Sequence, residues 1–290
     1  MSMTEYQLLC KIAEQGSMTR AAEQLHISPS AASHAINNLE RRVGFTLINR
    51  SRNGITLTGN GQALLPRFQA ILASEDLLQQ DISHINGLEK GNVRLGVFDS
   101  ICTNWIPTIL RTFGANYPNI TVTILQSDYQ QIDTLLLNGT LDIGFVSLPS
   151  SDAFQTITLM HDRLLCITPS DFKPKNETCI TTGELRTIPL IIAGRGIDQN
   201  ILNFLAKNNL TACSQYSIAL ETSAIALVEN GLGCSIMTEM IIQSHPGRYK
   251  VYPLSSNEFR TIGVATLKGK ELLLSTEKML EVIRSCVKVN

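Results

Sequence analysis

Between Gly16 and Arg50 the chain spells a short helix, a tight turn and a second helix with two unlike faces, a pattern few folds accommodate. Met18, Ala21, Ala22 and Leu25 fall on one side of the first helix. Ser28 then offers an N-cap oxygen, and Pro29 stands at the first helical position, where its missing N–H costs nothing. The second helix is expected to run to about Val43, with Gly44 placed to end it. Along it Ala32, Ile36, Leu39 and Val43 recur four, three and four residues apart, the spacing of a buried stripe. Ser30, His34, Asn37 and Arg41 repeat that spacing with an offset of two, about 200° around an axis of about 3.6 residues per turn. The face opposite the core thus carries small hydrogen-bonding groups and one cation. Such a face enters the major groove and reaches base edges, while flanking arginines meet phosphate. Taken alone, the periodicity fits a solvated polar face equally well.

The adjoining segment selects the first reading. From Arg41 to Ser74 there are five arginines (Arg41, Arg42, Arg50, Arg52, Arg67) and no acidic residue. Arg50 to Thr58 reads as a hairpin: Asn53-Gly54 is a tight-turn signal, and Ile55 and Leu57 alternate with threonines. A basic hairpin directly after a recognition helix is a wing, its arginines placed to straddle the backbone or enter the minor groove. The whole chain, 290 residues with a formal net charge of −1, says nothing of nucleic acid. Residues 1–58, with six basic and four acidic side chains, hold the local excess that matters.

The run Gly16-Ser-Met-Thr-Arg-Ala-Ala-Glu-Gln-Leu, then Ser33-His-Ala-Ile-Asn-Asn-Leu-Glu, then Leu47-Ile-Asn-Arg50 and Leu57-Thr-Gly-Asn-Gly61 closely resembles the N-terminal domain of LysR-type transcriptional regulators. The resemblance extends along the whole chain. It implies double-stranded DNA as a partner, with Ser17, Thr19, Ser28, Pro29, Ser30, Ser33, His34, Asn37, Arg41, Arg50 and Arg52 as candidate DNA-contacting residues. Of these, Ser33, His34 and Asn37 are expected to read bases, and Arg50 and Arg52 to hold phosphates or the minor groove. Pro29 stands where many members have glutamine, His34 where many have arginine, and Ile48 where phenylalanine is usual. The first two lie where the family reads bases, so operator preference does not carry over.

Residues 59–90 form the next unit. Leu64, Phe68, Ile71, Glu75, Leu78, Ile82 and Ile85 alternate four and three apart, a heptad seam with one polar member. So narrow a stripe suits pairing with another helix, which would hold two winged modules at the separation of two-fold-related half-sites; the other reading is an amphipathic helix lying on its own domain. Pro66 is expected to bend the helix unless it lies in the first two turns, and Gly87 to Gly91 to end it. The expected partition is therefore a winged helix-turn-helix over 1–58, a linker and dimerisation helix over 59–90, and an effector-binding domain over 91–290.

In that last region short apolar strands alternate with helices, the pattern of a parallel sheet flanked by helices. Expected strands are Val93–Phe98, Thr121–Gln126, Leu141–Ser147, Leu164–Thr168, Pro189–Ala193, Tyr216–Leu220, Cys234–Thr238 and Thr261–Thr266; helices fall near Trp105–Tyr117, Gln130–Asn138, Gln199–Asn208, Ser223–Asn230 and Ser275–Lys288. Two lobes joined by two crossings, one about 91–162 with 264–290 and the other about 163–263, give an α/β architecture like that of periplasmic binding proteins. Ligands in open α/β sheets sit off strand carboxyl ends near helix N-termini, which favour anions. The strand ending at Phe98 leads there into Asp99-Ser-Ile-Cys-Thr. By resemblance, Ser100 and Thr103 hold a small-molecule effector, with Cys102 between them. Ser147, Arg195 and Thr222 are expected to face them from the other lobe, Arg195 as charge partner of an anionic effector. The other reading is that these hydroxyls are helix caps.

Seven scattered cysteines without a Cys-x-x-Cys pair argue against a disulfide framework or a zinc site. Some relatives sense peroxide through a cysteine pair, but the stretch after Pro189–Gly194 continues Arg-Gly-Ile-Asp-Gln-Asn, with no cysteine until Cys213. The five histidines lack metal spacing, no Gly-x-Ser-x-Gly elbow occurs, and the lone Gly194-Arg-Gly and Gly231-Leu-Gly read as turns. Neither an enzyme nor a resident cofactor is expected. No apolar run approaches about 18 residues, and the N-terminus lacks the pattern of a signal peptide, so a cytoplasmic location is expected. The resemblance further implies a homodimer, a tetramer on DNA, and contact with RNA polymerase. The competing reading, a solute-binding protein of the periplasmic type, accounts for the last two hundred residues but not for the first ninety.

Overall fold

In the computed structural model the described residues are 2–51, 54–85, 91–193, 199–210, 214–218 and 220–287. They divide into two compact units, Met1–Lys90 with Asn138–Thr140, and Gly91–Leu137 with Leu141–Asn290.

The first unit runs α1 (Met3–Gln15), α2 (Met18–Gln24), α3 (Pro29–Val43), β1 (Ile48–Ser51), β2 (Gly54–Leu57) and α4 (Gly59–Ile85). Its core is Leu8, Leu9 and Ile12 of α1 against Ala21, Ala22, Ala32, Ile36, Leu39 and Leu47, all essentially without exposure. Each fully buried aliphatic side chain contributes about 1.5–3 kcal/mol. Met18, Leu25 and Val43 border this core, half-buried. The helix ends are built as the punctuation predicts: Ser28 Oγ accepts from Ala31 N, Pro29 opens α3, and Gly44 closes it with φ 83°. The hairpin register pairs Ser51 with Gly54. The connecting residues are therefore Arg52 and Asn53, which lie outside the described residues, and Gly54 belongs to the strand rather than to the turn.

The long helix departs from expectation in one respect. Its first half lies on its own unit: Phe68 is buried and stacks on Tyr6 of α1 at 4.8 Å, and Leu64, Leu65 and Leu72 pack beside it. Leu64 and Phe68 are thus core residues and not part of an open seam. Beyond them Ile71, Leu78 and Ile82 are exposed. The helix continues through Pro66 to Ile85.

The second unit follows as β3 (Gly91–Val97), α5 (Asp99–Asn104), α6 (Ile106–Asn116), β4 (Ile120–Gln126), α7 (Tyr129–Leu137), β5 (Ile143–Leu148), β6 (Phe154–Pro169), α8 (Thr182–Leu185), β7 (Leu190–Ala193), α9 (Gln199–Lys207), β8 (Ser214–Ile218), α10 (Glu221–Glu229), β9 (Ser235–Thr238), α11 (Glu239–Ser244), β10 (Tyr249–Pro253), β11 (Phe259–Leu267) and α12 (Leu274–Cys286). The main sheet has the order β10-β6-β11-β5-β3-β4, with β9 also on β6. It is mixed, not parallel: β3 runs parallel to β4 and β5, but β11 is antiparallel to both β5 and β6. The alternation of strands and helices reveals the order of elements and not their direction. Here the strand returning from the second lobe inserts between β5 and β6 and reverses the local sense.

β6 joins the lobes. Its residues from Phe154 to Arg163 pair with β11, and from Leu164 onwards it pairs with β9 and β10. Residues 254–258 make the second crossing, from β10 to β11. One core fills the first lobe around Val93, Leu95, Ile101, Ile109 and Phe145. Two smaller clusters, around Leu190 and Cys234 and around Ala224 and Val228, fill the second.

Candidate nucleic-acid interface and effector site

The two stripes of α3 separate as the spacing requires. Ala32, Ile36 and Leu39 are fully buried, whereas Ser30, His34, Asn37 and Arg41 are exposed and Ser33 is half-buried. Ser28 and Pro29 are exposed at the head of the helix, and Ser28 Oγ lies 3.0 Å from Ser30 Oγ. Thr19 is exposed, and Ser17 caps α2 by accepting from Arg20 N at 3.4 Å.

Arg50 crosses from β1 onto α3. Its Nη1 and Nη2 donate to Ser33 Oγ at 3.2 and 3.3 Å, and Nη2 donates to Asn37 Oδ1 at 3.3 Å. The wing arginine is therefore seated on the recognition helix beside the expected base readers, not extended from the hairpin. Arg52 lies outside the described residues. Arg42 is engaged elsewhere, paired with the buried Glu5 of α1. Burial raises the Glu5 pKa, but the Ser2 N–H and Arg42 outweigh it and hold this carboxyl below its ordinary value.

Glu40 goes unnoticed in the sequence. Its Oε1 accepts from Leu47 N at 2.6 Å and Ile48 N at 3.2 Å, tying the start of the wing to the end of α3. Its place one turn beyond Ile36, at the border of the buried stripe, is the available signal. The wing is fastened a second time where Ile55 N donates to Gly16 O at 2.8 Å.

In the second unit Ser100 lies in the first turn of α5, buried, and its hydroxyl accepts from Arg260 Nη2 at 2.7 Å. Arg260, on β11, carries no mark in the sequence. It is 1% exposed, donates through Nε to Asp162 Oδ2 at 2.9 Å and through Nη1 to the Tyr129 hydroxyl, and lies over the Phe98 ring, 5.0 Å from its centroid. The other Asp162 oxygen accepts from Met240 N at 3.1 Å. Because α5 has only six residues and begins with Asp99, its terminus offers an anion little. The cation beside Ser100 is Arg260.

Thr103 is exposed, its hydroxyl donating back to Asp99 O at 3.0 Å. Cys102 is half-buried, its thiol pushed up by burial and by the nearby Asp99. Ser147 does not face these residues from the other lobe: it lies on β5, in the same sheet as β3. The second lobe reaches it instead, since Asn200 Nδ2 of α9 donates to Ser147 Oγ at 3.0 Å. Thr222 is exposed in the first turn of α10, and Arg195 lies outside the described residues. A further bridge between lobes is Asn104, whose Nδ2 lies 2.8 Å from Ser100 O, 3.2 Å from Met240 O and 2.6 Å from Ser244 Oγ. Among the described residues no cluster of His, Cys, Asp and Glu could hold a metal ion, and no helix is long and apolar enough to cross a membrane.

Known proteins agree with this layout. Residues 3–62 match the bacterial regulatory helix-turn-helix protein, lysR family, and residues 86–286 match the LysR substrate binding domain. A probable HTH-type transcriptional regulator, LrrA of Synechococcus elongatus, is 28% identical over 288 residues, 98% of this chain and 97% of the relative. Full-length OxyR from Pseudomonas aeruginosa superposes with a TM-score of 0.73 at 22% identity, covering 100% of this chain and 95% of that one. Full-length CbnR complexed with its target DNA gives 0.68 at 19%, covering 99% and 100%. With both matches falling on the winged module and the two-lobed domain and spanning most of its length, this chain belongs to the LysR family of DNA-binding transcriptional regulators.

Proposed function

We propose that this LysR-type regulator answers to a small anionic effector held between its lobes, near Ser100, Cys102, Thr103, Ser147, Arg195 and Thr222, and that it acts as a cytoplasmic homodimer paired through α4, assembling to a tetramer on DNA and contacting RNA polymerase. Catalysis forms no part of this reading. The observation that carries the effector site is the meeting of the lobes around α5 and β5. Asn200 reaches Ser147 and Asn104 reaches α11, so a ligand that moves one lobe moves the other. The nine-residue helix α9, with no acidic residue in its first turn, begins on the second lobe, and the N–H groups of such a helix start favour an anion. A bound anion would shift the lobes, and with them the angle between paired winged modules on DNA.

The test is a thermal-shift screen of the full-length chain against small carboxylates and phosphates, since binding to the native state raises apparent stability. Thr103→Val and Thr222→Val are the informative variants, because Thr103 makes only a local bond to its own helix. Ser100→Ala is not, because it also strips an acceptor from a buried arginine. An anionic compound that stabilises the wild type and loses its effect in both variants supports the reading. Stabilisation by neutral compounds alone, or an unchanged shift in both variants, defeats it.

A further inference from the structure

We propose that Arg50, Ser33 and Asn37 form one donor-only reading unit, and that it selects guanine in the major groove. This rests on the reading that α3 is the groove-entering helix.

Hydrogen-bond polarity decides what the unit can recognise. Arg50 has only donors, so whatever it touches must turn an acceptor toward it. Nη1 and Nη2 both fall on Ser33 Oγ, using the two lone pairs of that hydroxyl and leaving its O–H as the outward group. Nη2 also falls on Asn37 Oδ1, which turns the amide so that its NH2 faces away from the arginine. Asn37 is exposed, and the group it offers outward is a donor. The remaining guanidinium N–H groups are donors as well.

An asparagine free to rotate pairs in a bidentate way with adenine, giving a proton to N7 and taking one from N6. Asn37 is turned away from that pairing by Arg50. Cytosine offers a donor in the major groove and thymine one acceptor beside a methyl, whereas guanine presents two adjacent acceptors, N7 and O6, and no donor. A unit whose outward groups are donors, its acceptor oxygens turned toward Arg50, is complementary to guanine. Arg50 thereby sets specificity both by direct contact and by orienting Asn37.

The test starts from selection of duplexes from a randomised library by the full-length wild-type chain. The enriched half-site should contain a guanine whose replacement by 7-deazaguanine weakens binding by about tenfold, the loss of one good base contact. Arg50→Met, which keeps length and removes the donors, should release the Asn37 amide and lower the guanine-over-adenine preference at that position by about tenfold or more. The 7-deazaguanine arm uses unaltered protein and so does not depend on how the variant folds. Half-sites specified at A·T pairs alone, or an Arg50→Met variant that binds all duplexes equally more weakly with unchanged base preference, would overturn the donor-only unit while leaving DNA binding intact. Failure to enrich any duplex would instead remove α3 as the groove helix.

Discussion

Arg260 and Asp162 are direct cross-strand partners on β11 and β6, each 1% exposed, joined by contacts of 2.9 Å from Nε and 2.7 Å from Nη2 to one carboxylate oxygen. The pair sits one residue before β6 leaves β11 and begins to pair with the second lobe. Burying two charges is justified energetically only when every lone pair and proton is satisfied. Here Ser100, Tyr129 and Met240 N complete the set. Removing one partner strands the other. Arg260→Met should therefore lower stability by about 3–5 kcal/mol, read as a fall in the urea midpoint of the full chain. Arg260→Met combined with Asp162→Leu should recover part of the loss. A single variant as stable as wild type would mean the pair is not closed in solution.

The wing is positioned by a close backbone approach at Gly61. A Cβ there would lie 2.1 Å from Leu47 O and 3.3 Å from Leu57 Cβ. Thr58 locks the same corner: its N donates to Leu47 O, its hydroxyl donates to Thr46 O, and its own Oγ1 accepts from Gly61 N. Gly61→Ala must push the start of α4 away from the wing, at a cost of about 1–3 kcal/mol. A thermal melt should show the loss, and DNA affinity should fall with it because Glu40 and the wing share this corner. Unchanged melting would show that the corner yields freely.

Asp142 should contribute to acid sensitivity. Burial raises this carboxyl's pKa, but hydrogen bonds from Arg94 Nε and Nη2 and from Arg94 N, with Lys270 nearby, outweigh it and hold the pKa below the ordinary 3.8. A depressed folded pKa contributes stability that is complete above the unfolded value and lost as pH falls through the folded one. The contribution should thus be present at neutral pH and disappear below about pH 3.8. Asp142→Ala should destabilise by about 1–3 kcal/mol at pH 7 and flatten the acid limb of the stability curve. An acid limb identical to wild type would assign it to other carboxylates.

These sites differ in how far sequence alone exposes them. The faces of α3, its Ser28 and Pro29 start and its Gly44 stop follow from spacing and local stereochemistry, which a one-dimensional pattern carries. The Arg260–Asp162 pair spans 98 residues, and nothing near either residue marks it. Strand direction is likewise invisible, so an alternating pattern suggests a parallel sheet where β11 runs the other way. A strand end looks the same in either lobe, which is why sequence alone puts Ser147 on the wrong side of the cleft. Arg50 is legible as a basic wing residue, but its seat on Ser33 and Asn37 depends on how the hairpin folds back.

The seam of α4 divides where its packing changes. Leu64 and Phe68 are spent on the core of the first unit, so any pairing surface must begin after them. Ile71, Leu78 and Ile82 remain, seven and four residues apart and 41%, 51% and 42% exposed. Three large aliphatic side chains in one row of a helix are disfavoured in water and are those a second copy of the helix would cover. Replacing Ile71 and Leu78 together by glutamate should therefore leave the melting temperature of the winged module little changed, because neither residue supports its core. The same change should convert a dimer into a monomer in sedimentation analysis and weaken binding to a two-half-site duplex far more than to a single half-site. A double variant that still sediments as a dimer would move the pairing surface off α4.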